Sequence, residues 1–219
     1  MNNKIFSNIG RTYFPGSSPD QGKTYQDISW LGYDVPAYRH GVPERAKHIN
    51  DSFNVKDKRG LDIGCSVGSL SLAIILRHGA SFMMGIDADP EAINIAEYIA
   101  KDQDIEGSVK FISADVMELY SHIKPDDFDF CIWYSSFHWV VKMHGIDKAT
   151  ELTKFICKNI PVLFFETPHN KQDKVAGNTL NGLGAVKDFL TEAGYATVND
   201  LGMQPGPRWG GRHVFKAQR

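Results

Sequence analysis

The sequence predicts an α/β fold in which a doubly wound, mostly parallel sheet of seven strands carries helices on both faces. Two observations support this prediction. From residue 59 onward, short apolar runs typical of buried strands alternate with segments whose apolar residues recur every three or four positions. In addition, the turn LDIGCSVGSL joins the first of these runs to the first helical segment, and parallel sheets bind ligands at the carboxyl ends of their strands.

The elements of this region follow one another in order. Apolar runs bounded by turn residues predict seven strands, at RGLDIGC (59–65), SFMMGIDA (81–88), VKFISADV (109–116), FDFCIWYS (128–135), PVLFFETP (161–168), ATVNDLGM (196–203) and RHVFKA (212–217). Helical periodicity predicts five helices between them, at residues 69–78, 90–102, 117–123, 147–158 and 183–193. Pro90 stands in the first turn of its helix, where proline is tolerated, and Gly194 ends the last helix.

Residues 1–58 differ in character from the rest of the chain. They are rich in Gly, Pro, Ser and aromatic residues and have no sustained period, apart from one helix that begins near Pro43 and ends near Phe53. A stretch of this length is either mobile or a functional cover. We expect an N-terminal extension or cover segment at 1–58, followed by one domain at 59–219.

The composition is that of an ordinary globular protein. A net charge of −2 gives no general attraction to nucleic acid or to anionic membranes. The three cysteines, Cys65, Cys131 and Cys157, form no C-x-x-C pair, which argues against a disulfide framework or a cysteine-rich zinc site. No signal-peptide pattern opens the chain, and no apolar run is long enough to span a bilayer. We therefore expect a cytoplasmic protein with no membrane association and no metal.

The pentapeptide GCSVG admits two interpretations. As G-x-S-x-G it matches the nucleophile elbow of serine hydrolases, with Ser66 as nucleophile, but no HGGG-like stretch for an oxyanion hole precedes it. As a ligand-binding turn it departs from the dinucleotide pattern, because Ser66 and Ser69 replace two of the expected glycines. No G-K-[ST] follows for a P-loop. These departures favour a ligand that occupies the crevice without a pyrophosphate.

Three acids follow the first three predicted strands. Asp62 lies at the end of the first strand, where a buried acid attracts a cationic ligand and repels phosphate. Asp87 ends the second strand and is suited to bind both hydroxyls of a ribose. Asp115 follows the third and can accept a hydrogen bond from an adenine amine. An adenosine with an attached amino acid would satisfy all three, although each acid alone could equally cap a helix or a turn.

At this point the sequence resembles the class I S-adenosylmethionine-dependent methyltransferases. The stretches LDIGCSVGSL, GIDADPEAINIA, FISADV and FDFCIWYSSFHWV are similar to the successive motifs of that family, and the resemblance covers about residues 59–165. It implies a Rossmann-like fold whose last strand, GRHVFKA, inserts antiparallel into the sheet. The commonest family form, D-x-G-x-G-x-G, is broken here at Ser66.

The resemblance implies S-adenosylmethionine as cofactor, S-adenosylhomocysteine as product, and a set of binding residues. Asp62, Gly64 and Gly68 would hold the methionine part, Asp87 the ribose and Asp115 the adenine. The full set of expected cofactor residues is Asp62, Gly64, Cys65, Ser66, Gly68, Asp87, Ala88, Asp115, Val116 and Trp133, of which Ala88 and Val116 would flank the adenine ring.

Candidate residues for the acceptor follow the fourth and fifth strands. His138 and Glu166 are candidate catalytic groups, because a histidine can take a proton near neutral pH and a strand-end acid can steer a substrate. Each also has a structural alternative, His138 as a packed side chain and Glu166 as a loop cap. The expected acceptor or cover residues are Tyr38, Arg39, Ser135 and His169, and His169 has a structural alternative as a solvated residue of a polar loop.

The sequence therefore predicts a methyltransferase that acts on a small-molecule or saccharide-like acceptor. An RNA or protein methyltransferase is the alternative enzyme, disfavoured by the net charge and by WYSS at the place of an N-P-P-Y-type tetrapeptide. A catalytically inactive, cofactor-binding regulatory protein is the second alternative, because no indispensable catalytic residue is visible.

Overall fold

The structure, a computed structural model, describes residues 23–168, 180–204 and 211–219. The strands of these residues are β1 (Thr24–Gln26), β2 (Ala37–Arg39), β3 (Arg59–Ile63), β4 (Phe82–Asp87), β5 (Val109–Ser113), β6 (Phe130–Tyr134), β7 (Val162–Glu166), β8 (Thr197–Gln204) and β9 (Arg212–Gln218). Their α-helices are α1 (Val42–Ser52), α2 (Ser69–His78), α3 (Pro90–Asp102), α4 (Val116–Leu119), α5 (Phe137–His144), α6 (Ile146–Asn159) and α7 (Leu183–Glu192).

The main sheet has seven strands in the order β5-β4-β3-β6-β7-β9-β8. The pairs from β5 to β7 are parallel, and β9 is antiparallel to both of its neighbours. The predicted mostly parallel sheet with an antiparallel last strand is confirmed. The order of strands reverses between β3 and β6, and ligands bind in such sheets outside the carboxyl ends of the strands at this switch point.

Two hydrophobic layers cover the faces of the sheet, as predicted. On one face, buried residues of α1, α2 and α3 pack together, among them Ile49, Ile74 and Ile99. On the other face, α5, α6 and α7 pack around a second cluster that includes Leu152 and Leu190. Successive side chains of a strand point to opposite faces, so every inner strand contributes to both layers.

Residues 23–58 pack against the domain core. α1 begins at Val42, as the sequence predicted for a helix near Pro43, and packs on α2. Before it, β1 and β2 form a small parallel pair. The hydroxyl of Ser69, at the start of α2, donates to the carbonyl of Asp27 (2.6 Å) and accepts from Nε1 of Trp30 (3.0 Å). The segment is thus fixed beside the turn that precedes α2.

Among the α-helices of the described residues, α5 is the one that the sequence did not predict. The stretch SSFHWVVKMH is apolar and rich in β-branched and aromatic residues, and the helix that it forms is only eight residues long. Gly145, with φ +87°, ends α5 and immediately precedes α6. Residues 137–144 therefore form a helix shortly after β6, and this helix belongs to the same layer as α6 and α7.

Two observations concern what the described residues lack. None of their helices is long and apolar enough to cross a membrane. They also contain no group of three or more His, Cys, Asp or Glu side chains arranged to hold a metal ion. The three cysteines of the sequence are buried and unpaired.

Candidate active site

The switch point brings the turn after β3 against the residues after β6. Gly64 has φ +75°, and a Cβ atom added to it would overlap the side chain of Ser136. The Ser136 hydroxyl in turn donates to the carbonyl of Ile63 (2.8 Å). The N–H groups of Gly64 and Cys65 both donate to the carbonyl of Ile86. Only glycine fits at position 64, because both its φ angle and the space beside it exclude a side chain.

The turn itself orients Asp87. Ser66 adopts φ +52°, a left-handed conformation that favours glycine, and its N–H donates to Oδ2 of Asp87 (2.7 Å). The N–H of Asp89 donates to Oδ1 of the same carboxylate (2.9 Å). Burial raises the pKa of Asp87 above its ordinary value, and the two backbone N–H groups offset only part of this effect. Ser66 is thus a turn residue whose backbone holds an acid in place, in a conformation that glycine adopts without strain.

Gly68 is required by packing. It has φ +72°, and an added Cβ would lie 2.5 Å from Cζ of Phe111. Gly68 precedes the first residue of α2, so its close contact with β5 sets the angle at which that helix leaves the turn. The direct role of this glycine is therefore close packing of helix on sheet.

Asp62 is buried beneath the turn, with 2% of its surface exposed. It accepts a hydrogen bond from the hydroxyl of Ser71 (2.7 Å). Burial is the largest influence on its acidity and, with the nearby charge of Asp87, raises the pKa of Asp62 to about 7. This carboxyl group therefore changes its charge near neutral pH and would be held ionised by a bound cation.

Asp115 follows β5 and caps α4. Its Oδ1 accepts from the N–H of Met117 (2.9 Å), and its Oδ2 lies 2.7 Å from Nε2 of His144. Ala88 is exposed after β4, and Val116 is buried in the first turn of α4. The acids lie at the carboxyl ends of three neighbouring strands, which stand about 4.8 Å apart: Asp62 is the second-last residue of β3, Asp87 is the last residue of β4, and Asp115 follows β5. They span roughly 10 Å, the scale of a nucleoside, so the residues fit an adenosyl ligand.

Glu166, at the end of β7, lies in a buried cluster of charges. Both of its oxygens accept from the guanidinium of Arg39, at 2.9 and 2.8 Å, and Nη2 of Arg45 is 2.9 Å from Oε2. The Ser135 hydroxyl donates to the same carboxylate and accepts from Nη1 of Arg39 (2.6 Å). Burial alone would raise the pKa of Glu166, but Arg45 and Arg39 outweigh it and lower the pKa to about 2.

The cluster also includes groups that sequence reasoning missed. The Arg45 guanidinium stacks on the Tyr134 ring, 4.7 Å from its centroid, and Nη1 of Arg212 is 3.9 Å from Glu166. Arg45 lies six residues after Arg39, and the signal for it was weak because a basic residue on a helix is usually solvated. His144 was also missed, because the sequence did not predict α5.

Several predicted site residues take other roles. Trp133 is fully buried against Phe137 and Phe165, so its side chain packs in the core, and its place among the cofactor residues stays a prediction. The Cys65 side chain is also buried, and burial raises the pKa of its thiol, so only its backbone faces the turn. Glu166 lies in a setting unsuited to a general base, because two guanidinium groups lower its pKa and so weaken its affinity for a proton.

The remaining predicted residues lie around the same edge. His138 is buried in the first turn of α5, beside the ring of Trp139. Tyr38 is partly buried, with Nζ of Lys23 5.5 Å from its ring centroid. Arg39 and Ser135 belong to the Glu166 cluster, and His169 lies outside the described residues.

Comparison with known proteins gives a consistent result. The family model described as "Methyltransferase domain" matches residues 54–202, more than half of the chain. The O-antigen chain terminator bifunctional methyltransferase/kinase WbdD of Escherichia coli is 33% identical over 92 residues, which are 42% of this chain and 13% of that protein. Norajmaline N-methyltransferase of Rauvolfia serpentina is 36% identical over 118 residues, which are 54% of this chain and 36% of that protein. The chain thus spans only a small part of the WbdD protein.

Solved structures share the fold. The bifunctional kinase-methyltransferase WbdD superposes with a TM-score of 0.75 at 21% identity, over 91% of this chain and 44% of the other. Magnesium protoporphyrin IX methyltransferase from Synechocystis PCC 6803, with bound SAM, gives a TM-score of 0.62 at 19% identity, over 81% of this chain and 77% of the other. With the family match, the sheet order and the acids at its carboxyl edge, the chain belongs to the class I S-adenosylmethionine-dependent methyltransferases.

Proposed function

We propose that this chain transfers a methyl group from S-adenosylmethionine to a small-molecule or saccharide-like acceptor at the carboxyl edge of β3–β7. The observation that carries the proposal is the placement of Asp62, Asp87 and Asp115 at the carboxyl ends of three neighbouring strands, around a glycine turn at the switch point. A cofactor that combines an ammonium group, a ribose and an adenine matches this order of acids.

Each acid is preset for its part of the cofactor. The oxygens of Asp87 each accept one backbone N–H and keep a lone pair for a ribose hydroxyl. Asp115 would accept from the adenine amine, between Ala88 and Val116. Asp62 would face the ammonium end, and the turn residues Gly64, Cys65 and Ser66 would lie along the methionine chain.

Methyl transfer requires little of the protein beyond the alignment of the acceptor with the methyl group. When bound, the cofactor supplies an electrophilic methyl group on a sulfonium that is itself a good leaving group. The residues after β6 and β7 would orient the acceptor towards that methyl group and exclude water from it. An acceptor that attacks through a hydroxyl must also lose its proton to a base or to water.

His138 is the residue we propose as that proton acceptor. It follows β6 directly, on the side of the switch point where the acceptor would lie, and it is buried beside Trp139. Glu166 is the weaker candidate, since a carboxylate with a pKa of about 2 has little affinity for a proton at neutral pH. Glu166 instead supports the site by holding Arg39 and Ser135.

The names of the relatives bear on the class of acceptor. The E. coli relative is named an O-antigen chain terminator, and two Rauvolfia serpentina relatives are N-methyltransferases of the small molecules norajmaline and ajmaline. These names support a saccharide-like or small-molecule acceptor.

Arg39 and Arg45 precede residue 59 and bind Glu166 at the end of β7. These contacts support an N-terminal extension, 1–58, that covers the crevice of a domain at 59–219. Three unpaired, buried cysteines support a cytoplasmic location.

A transfer assay with methyl-labelled S-adenosylmethionine tests the function. The chain is incubated separately with saccharide, small-molecule, RNA and protein fractions of a cell extract, beside the variant Asp87→Asn. We expect label in a saccharide or small-molecule fraction, and loss of most of it with the variant. Label in RNA or protein alone would contradict the acceptor class, and no label in any fraction would favour a binding protein without catalysis.

A further inference from the structure

Helix α5 connects two parts of the cofactor edge. It starts after Ser136, whose side chain lies against Gly64 at the turn after β3. It ends at His144, whose Nε2 lies 2.7 Å from Oδ2 of Asp115, after β5. An eight-residue helix thus runs from the methionine end of the proposed site to its adenine end, and each of its ends contacts a residue of that site.

Both oxygens of Asp115 are fixed by the protein. Oδ1 accepts from the N–H of Met117, and Oδ2 pairs with His144. The two side chains of the ion pair are partly exposed, at 24% for Asp115 and 29% for His144, so a ligand can still reach the carboxylate. Each carboxylate oxygen accepts two hydrogen bonds, and one acceptor position per oxygen therefore remains for a ligand.

The place of His144 in its helix favours this contact. His144 is the last residue of α5, and Gly145 closes the helix by donating its N–H to the carbonyl of Val141 (2.8 Å). A carboxylate oxygen only accepts hydrogen bonds, so Nε2 of His144 is the donor in its contact with Oδ2 of Asp115. A donor nitrogen is therefore directed to Asp115 from a helix whose other end is packed at the switch point.

We propose that His144 is a positioning residue for adenine recognition, which holds the Asp115 carboxylate so that its remaining acceptor positions face the 6-amino group. The proposal rests on the proposed function, because it takes Asp115 as the partner of adenine. It also makes His144 a determinant of specificity: a fixed carboxylate accepts from the 6-amino group of adenine and repels the 6-carbonyl oxygen of hypoxanthine. Without His144 the carboxylate would rotate about its side-chain bond and lose part of this discrimination.

Calorimetry with two ligands tests the proposal. S-adenosylhomocysteine and S-inosylhomocysteine are titrated into the wild-type chain and into the variants His144→Ala, His144→Gln and His122→Ala. The last is a matched control, because His122 is exposed at the end of the 3-10 turn after α4. We expect His144→Ala to weaken binding of the adenosyl ligand about tenfold and to leave the inosyl ligand unchanged. Glutamine keeps an N–H donor, so His144→Gln should restore most of the preference.

The outcomes separate this proposal from the proposed function. Equal losses for both ligands in His144→Ala would mean a structural role, and unchanged or tighter adenosyl binding would mean that His144 does not position Asp115. Either result overturns the inference while leaving the cofactor assignment standing. If the wild-type chain binds neither ligand, or if Asp115→Asn changes the affinity of neither, the assignment of Asp115 to adenine fails and the inference falls with it.

Discussion

Replacing Glu166 with glutamine removes one buried charge and preserves the size of the side chain. The carboxylate is fully buried, and the Arg39 and Arg45 side chains that it pairs with are 3% and 5% exposed. Glutamine can accept one hydrogen bond from them but cannot neutralise them. We therefore expect Glu166→Gln to lower the free energy of unfolding strongly at neutral pH.

The size of the effect follows from the acidity of Glu166. Its pKa is lowered from an ordinary value of 4.5 to about 2. Because each pKa unit corresponds to about 1.4 kcal/mol, the ionised carboxylate contributes about 3 kcal/mol to the free energy of unfolding. Removing one partner of a buried ion pair costs about 3–5 kcal/mol in other proteins. A loss of about 3–4 kcal/mol is a large part of the 5–15 kcal/mol typical of a folded domain.

Urea unfolding followed by tryptophan fluorescence measures this difference, with Glu151→Gln as the matched control. Glu151 pairs with Lys148 on the surface, so the same chemical change there should leave the midpoint unchanged. Because the pKa of Glu166 is lower in the folded than in the unfolded chain, its contribution is complete above about pH 4.5 and disappears as the pH falls towards 2. The difference in the free energy of unfolding between the wild type and Glu166→Gln should therefore be smaller at pH 3 than at pH 7. An unchanged midpoint for Glu166→Gln at pH 7 would refute the reasoning.

Three further predictions concern the turn between β3 and α2. Ser66→Gly should raise the free energy of unfolding by about 1 kcal/mol in thermal unfolding, because it relieves the positive φ; a loss of stability would contradict this. Gly68→Ala should lower the melting temperature, since the added methyl group meets Phe111; an unchanged melting temperature would show that the ring moves freely. The raised pKa of Asp62 means that the folded chain binds more protons between about pH 4 and 7, so wild-type stability should fall as the pH rises through this range. Asp62→Asn should show a shallower fall, because Asp87, whose pKa burial also raises, remains in the variant; pH profiles of equal slope from urea unfolding would count against this.

The sequence identified most of the fold because the local signals agreed with the final structure. Apolar runs flanked by turn residues located the strands of the main sheet, and α2 and α3 have the predicted bounds. α5 escaped prediction for a physical reason: its β-branched and aromatic residues have higher strand than helix propensity, and packing against Phe165 and Phe189 decides its form.

The candidate site was predicted as far as it depends on single strand ends. Asp62, Asp87 and Asp115 could be found because each follows its own strand, and the fold brings those ends together. The Glu166 cluster could not be found in this way, because Arg39 and Arg45 lie 127 and 121 positions before it and only the folded chain brings them into contact. Trp133 was assigned to the cofactor from its position in a motif, whereas the pleat of β6 directs its side chain into the core.

Calorimetric titration with S-adenosylhomocysteine tests most directly whether the edge formed by β3, β4 and β5 is a cofactor site. The wild-type chain should bind one equivalent, Asp87→Asn should bind at least about tenfold more weakly, and Asp51→Asn, a change on the exposed face of α1, should match the wild type. The amide oxygen of asparagine can accept only one of the two backbone N–H groups that hold Asp87, so circular dichroism and the melting temperature check that the variant is folded. Equal affinity of wild type and Asp87→Asn, or no binding to the wild type, would contradict the proposed site.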